Sequence, residues 1–201
     1  MAELVGRSGQ PGAPEHTDFL KRSQHEDGYW DEPEEIVSYD PPFWMLPGQY
    51  ANQVWLTSAI SCKLKELGVE QQVDFEKAVA FLRQGWNGER FPEYRHTHWM
   101  AMALLCQYDS RSAADMQIME GCGRILYDTV DKDEGDPGDT ISIAYASHLA
   151  GDMAKDLFDL SMSKVSGYQQ EDGGWVTGHG EKHRASFTIE ALYLYKRVGM
   201  T

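Results

Sequence analysis

One string recurs in this chain and limits its fold more than any other feature. Leu20-x3-Gln24-x3-Gly28-x-Trp30 contains Glu-Asp-Gly-Tyr-Trp, and far downstream Gln169-x3-Gly173-x-Trp175 contains Glu-Asp-Gly-Gly-Trp. With only six Trp in 201 residues, two such copies are hard to assign to chance. A weaker copy runs Phe81-Leu82-x-Gln84-x3-Gly88-x2-Phe91, and the weakest follows Ile125-Leu126, where the Gln is lost and a turn remains at Gly135. Repeats at a spacing of roughly 40–60 residues mark supersecondary units that cannot bury their apolar faces alone and must stack on their neighbours.

Each turn is followed by a segment of helical period, at 51–67, 96–108, 140–150 and 183–198. In the last of these Phe187, Ala191, Leu194 and Tyr195 recur at three-to-four spacing, the stripe of an amphipathic helix. Helical segments also precede the turns, at 74–84, 113–127 and 152–169, and Gly68 and Gly199 stand at helix stops. Alternating runs of Val, Ile and Thr are absent, so β structure has little to build on. The pattern predicts an all-α protein of four helix–turn–helix units, a single repeat domain over 17–201. Residues 1–16, polar and broken by Gly and Pro without any period, read as a flexible N-terminal arm.

Charge and composition narrow the function. The formal charge is −14, which repels a polyphosphate backbone, so nucleic acid is not an expected partner. The longest apolar run, 99–106, is far below the ~20 residues a bilayer span needs. No charged-then-apolar leader opens the chain, and Cys62, Cys106 and Cys122 show no paired spacing. The expectation is a cytoplasmic protein.

The repeated Gln-x3-Gly-x-Trp resembles the repeat of squalene–hopene and oxidosqualene cyclases, a superfamily that includes the β subunits of protein prenyltransferases. The resemblance spans 18–198, strong in the first and fourth units. It implies an α/α toroid in which the helix after each turn is the inner one. With four helical hairpins where a full ring has six, it implies an arc, an incomplete α/α barrel. Such an arc leaves apolar ends, so a homo-oligomer or a protein partner is expected. The resemblance also directs attention to the inner-helix starts at Gln53, His96, Asp139 and His183.

The acidic stretch 128–140 stands where class II terpene cyclases of this superfamily carry Asp-x-Asp-Asp-Thr, whose middle Asp protonates an alkene or epoxide. Here Gly138 occupies that position in Asp136-Pro-Gly-Asp139-Thr140. Asp133, Asp136 and Asp139 are the candidate catalytic acids, since crowded carboxylates raise one another's pKa. The competing role is structural, with Asp139 as the cap of a helix beginning at Thr140 behind a solvated acidic loop. If the stretch does chemistry, Asp139 is the ionised cap and Asp133 or Asp136 is the acid to be raised, whereas in the structural role all three are solvated or capping and none is raised.

Tyr94-Arg-His96-Thr-His98-Trp99 resembles the zinc-binding stretch of prenyltransferase β subunits, but no Asp-x-Cys accompanies it, and neither a metal nor a cofactor is expected. Trp55, His96, His98, Trp99, Tyr145, His183 and Phe187 are the candidate substrate-binding residues, as aromatic or capping walls of an apolar cavity. The reading is therefore a terpene-cyclase- or prenyltransferase-like repeat protein that binds an apolar isoprenoid-type substrate, with acid-initiated cyclisation, isomerisation or hydration as its chemistry if it is an enzyme. Two alternatives stay open. One is a non-catalytic ligand- or protein-binding module on the same scaffold, the other a carbohydrate-active α/α protein with paired carboxylates.

Overall fold

Helix starts and stops are written into the chain, and the computed structural model, which describes residues 14–108, 111–178 and 180–199, places them accordingly. Helix α1, Pro14–Ser23, opens on a proline, whose fixed φ and missing N–H suit a first helical position. Helix α2, Tyr50–Leu67, ends at Gly68, which turns left-handed and returns its N–H to the Leu64 and Lys65 carbonyls. Helix α3, Phe75–Gly85, is capped by the Asp74 carboxylate, and α4 is Arg95–Cys106. Helix α5, Ala113–Asp131, starts with a reciprocal cap between Ser112 and Asp115. Helices α6, Pro137–Ala150, α7, Lys155–Gly167, and α8, Arg184–Arg197, complete the set. Among the described residues all regular structure is helical, apart from one isolated bridge between Gln169 and Trp175. The protein is all-α.

The chain divides into two compact units, Met1–Leu104 and Leu105–Thr201. In the first, Trp30, Leu64, Val69 and Ala78 form a buried cluster beneath Leu20, Ile60 and Val73, and α2 packs on α3. In the second, Ile141, Ala144, Val165, Trp175, Ala191 and Leu194 form the core where α6 meets α7 and α8.

Several boundaries differ from those expected. Residues 1–13 of the expected arm lie outside the described residues, but 14–16 are already helical. Helix α5 continues past Tyr127 to Asp131, because Val130 is buried and the Thr129 hydroxyl bonds back to the Ile125 carbonyl. Asp128 and Asp131 are thus helical residues rather than part of an acidic loop. The segment before α7 begins as a 3-10 turn, Gly151–Ala154.

The repeated string has the same geometry both times. The Trp30 indole N–H donates to the Leu20 carbonyl at 2.8 Å, and that of Trp175 to the Val165 carbonyl at 2.8 Å. The Trp30 backbone N–H donates to the Thr57 hydroxyl at 3.1 Å, and that of Trp175 to the Thr188 hydroxyl at 3.1 Å. Gln24 donates to the Gly28 carbonyl and Gln169 to the Gly173 carbonyl. The glycines take φ of 96° and 84°, the left-handed region that a side chain resists. Each Trp is therefore a plug that ties the preceding helix to the following one.

The Gln amide of the first copy also reaches beyond its own turn. Besides the turn carbonyl, Gln24 donates to the Asp74 carbonyl at 3.0 Å and accepts the Asp74 N–H at 2.9 Å. A primary amide has donors and an acceptor side by side, so it matches a residue that presents both backbone groups. Gln24 joins the first turn to the start of α3.

Replacing Trp30 with Phe keeps most of the apolar bulk but removes the 2.8 Å indole bond to the Leu20 carbonyl, which then keeps the longer contact from the Ser23 hydroxyl at 3.3 Å. The expected loss is about 1–3 kcal/mol of stability, read from the urea midpoint. Thr57→Val, which orphans the Trp30 N–H, is expected to cost a similar amount.

Candidate functional site

The first unit brings together aromatic side chains from the starts of α2 and α4. The Trp55 ring lies 6.2 Å from Tyr94 and 6.4 Å from His96, and His96 lies 4.5 Å from Trp99. Trp99 is buried, and its indole N–H has no hydrogen-bond partner. An unanswered buried donor costs on the order of 1–3 kcal/mol. Asn52, fully buried, organises the edge of this cluster. It accepts from the Tyr94 hydroxyl at 2.8 Å and donates to the Leu46 carbonyl at 2.9 Å. Burial, and then the nearby Glu93 carboxylate, raise the Tyr94 phenol above its ordinary pKa, so it keeps its proton and remains a donor.

Leu46 belongs to an excursion, residues 31–49, between the first turn and α2. It contains two 3-10 turns, Glu34–Tyr39 and Phe43–Met45, and exposes Val37, Tyr39, Phe43 and Trp44. Asp31 closes its base by accepting from the Gly48 N–H at 2.9 Å and from Gln53 at 2.8 Å. Glu32 has its carboxyl pKa raised, by burial first and by neighbouring Asp31 second. Asp31, Glu32 and Asn52 belong to no motif along the chain, and the adjacent acids before a proline are their one local signal.

His98 is not part of that wall. It is buried on the other side of α4, its ring against Phe91 and Trp86. Nε2 accepts the Phe91 N–H at 3.2 Å, and Nδ1 lies 3.3 Å from the Tyr94 carbonyl, which fixes the neutral tautomer with its proton on Nδ1. His98 thus does for the blurred copy of the repeat what Thr57 and Thr188 do for the clear ones. Burial lowers its pKa, against smaller opposing effects from the Tyr94 and Arg95 backbone.

In the second unit the three candidate acids are engaged in structure. Asp136, not Asp139, is the cap of α6, which begins at Pro137 rather than Thr140. Its carboxylate accepts the Gly138 N–H at 2.7 Å and also the Gly178 N–H. Asp139 sits three residues into the cap and accepts the Asp136 N–H at 3.4 Å. The proline explains the shift, since it is favoured at the first helical position and draws the cap to the residue before it. Asp133 is largely exposed and forms an ion pair with Lys164 of α7.

Gly138 packs directly beneath Phe187, and a Cβ at this position would overlap the ring. The glycine that replaces the expected acid is therefore a packing requirement. Tyr145 lies on the same core, 6.1 Å from the Tyr193 ring, and His183 is an exposed residue at the start of α8. The candidate wall residues thus fall into two groups, Trp55, His96 and Trp99 in the first unit, Tyr145, His183 and Phe187 in the second. No three His, Cys, Asp or Glu side chains among the described residues gather as a metal set. Cys62 and Cys122 are buried, and burial pushes the Cys106 thiol up to about 11, so it is protonated at neutral pH.

Two outcomes follow from this geometry. Protonating His98 would put the ring's second hydrogen on Nε2, where it meets the Phe91 N–H, and break that bond. Since the folded pKa lies below the unfolded value of ~6.5, the stability it brings is present above that pH and is lost as pH falls through the folded value. Urea midpoints taken between neutral and mildly acidic pH should fall, and His98→Gln should flatten that part of the profile. Gly138→Ala should destabilise by about 1–3 kcal/mol, the range for overpacking, with the effect relieved when Phe187→Leu is added.

No protein-family model, curated protein or solved structure matches this chain.

Proposed function

We propose that this protein is a non-catalytic binding module built on helical repeats of the terpene-cyclase and prenyltransferase type. It holds an apolar, isoprenoid-type ligand that carries an oxygen acceptor, and it works as associated copies of itself. The observation that carries the ligand reading is the aromatic group Trp55, Tyr94, His96 and Trp99 around a buried indole N–H with no partner. Aromatic faces suit a hydrocarbon body, and the unanswered N–H calls for one oxygen.

The non-catalytic reading is supported by the acids. Asp136 and Asp139 serve backbone N–H groups at a helix start, Asp133 is tied to Lys164, and Gly138 leaves no room for a side chain beneath Phe187. A glycosidase-like use of paired carboxylates within 128–140 would call on the same occupied groups. Three thiols outside any disulfide are in keeping with a reducing compartment such as the cytoplasm. No helix among the described residues is long and apolar enough to cross a membrane.

Calorimetry with farnesol and with its hydrocarbon analogue farnesene tests the reading. The alcohol should bind more tightly than the hydrocarbon. Trp99→Phe should weaken the alcohol about tenfold, ~1.4 kcal/mol, and leave the hydrocarbon unchanged. Failure of both to bind would end the ligand reading, and a new product seen by mass spectrometry would end the non-catalytic one.

A further inference from the structure

The blurred copy of the repeat ties a titratable side chain to the aromatic group of the first unit. Its turn is braced from within, since the Asn87 side chain accepts the Glu89 N–H at 2.9 Å and the Arg90 N–H at 2.8 Å. Phe91, standing where the clear copies have Trp, is buried, and its N–H ends on His98 Nε2. Only Pro92 and Glu93 separate it from Tyr94. There the chain makes a three-residue turn, closed by the Tyr94 N–H on the Pro92 carbonyl at 2.7 Å, with Glu93 at φ 47°. A left-handed bend of this kind is rare and strained for a residue with a side chain. Glu93 is exposed, so the bend is held from its two ends.

His98 holds both ends. Nε2 takes the Phe91 N–H, and Nδ1 lies 3.3 Å from the carbonyl of Tyr94. The Tyr94 hydroxyl in turn donates to Asn52, and its ring lies 6.2 Å from Trp55. In the clear copies the acceptor for the corresponding N–H is the hydroxyl of Thr57 or Thr188, which does not titrate. Among these three turns, the one beside the aromatic group is the one fastened by an imidazole.

We propose that His98 is an acid-sensitive latch on the ligand site: protonating it frees Phe91, lets the Pro92–Glu93 bend relax, draws Tyr94 away from Asn52 and Trp55, and so releases the ligand. This inference rests on the ligand site proposed above and adds its regulation. An imidazole nitrogen accepts a hydrogen bond only while it carries no proton. The ring packs on Phe91 and Trp86, which are uncharged, and Arg90 of the braced turn is the charged group that acts on it. Burial is the largest effect against the charged ring; the Tyr94 and Arg95 backbone oppose it, and Arg90 adds to it. The folded pKa therefore lies below the ordinary ~6.5, so the latch is closed at neutral pH and opens as pH falls through the folded value. A strained segment kept in place by one titratable contact is a suitable moving part.

Calorimetry of farnesol with the full chain, from neutral to mildly acidic pH, tests the latch with His98→Gln as the variant. Farnesol has no group that titrates in this range, so any pH dependence belongs to the protein. A Gln amide oxygen can accept the Phe91 N–H without titrating, and the variant keeps His96, Glu93, Asp31 and Glu32, the other titratable groups at or near the site. Wild-type affinity should fall with pH, by up to about tenfold per pH unit, the limit for one proton, while circular dichroism stays native. His98→Gln should hold its affinity. Glu93→Gly, which accepts the bend freely and leaves His98 in place, should show a smaller fall than the wild type. An equal fall in wild type and His98→Gln, no fall in either, an undiminished fall in Glu93→Gly, or a fall that follows loss of helix would overturn the latch. If farnesol binds at no pH, the ligand reading fails, and NMR decides the latch by itself. The Phe91 amide and the Trp55 indole signals should then shift together as His98 titrates, and a Trp55 signal indifferent to that titration would overturn it.

Discussion

A buried indole must find an acceptor for its N–H, and both units of this protein are organised around that requirement. Trp30 and Trp175 each reach a carbonyl ten residues earlier in the preceding helix, while the peptide N–H of each is answered by a threonine on the following one. The plug thereby fixes the distance and rotation of two helices at once. A purely apolar side chain would fill the same volume without setting either. The glycine before each Trp allows the chain to turn tightly enough to present it.

The acidic stretch shows how chemistry-bearing residues can be absorbed by structure. A helix start leaves unsatisfied N–H groups, and carboxylates are their best partners. Asp136 and Asp139 answer that demand at α6, and Asp136 also reaches the Gly178 N–H before α8. The same residue types that would suggest an acid catalyst therefore act as fasteners. The aromatic group of the first unit is of the opposite kind. Its packing is ordinary, yet the Trp99 N–H is left unanswered at a cost that folding alone gives no reason to bear.

Repeat architectures pass this problem along the chain, because each unit covers its predecessor and leaves its own face for the next. The covered face of α2 can afford serine, as α3 shields it. The bare face of α8 carries isoleucine and leucine.

The sequence by itself determined the helices and the turns. Periodicity set helices α2 to α8 to within a few residues but not α1, glycines placed stops such as Gly68, and the repeated Gln-x3-Gly-x-Trp marked two equivalent turns, because these signals are local. Tertiary structure decided the rest. Gln24 pairs with Asp74 across fifty residues, His98 stands in for a threonine, and Gly138 yields its space to Phe187. None of these is visible in spacing along the chain, since a hydrogen-bond partner or a steric neighbour brought in from another helix leaves no periodic trace. Candidate wall residues looked alike in sequence, as His96 and His98 did, and separated only when the helix turned one toward Trp55 and Trp99 and the other into the core. Local signals fix where a chain turns, and packing fixes what each turn is used for.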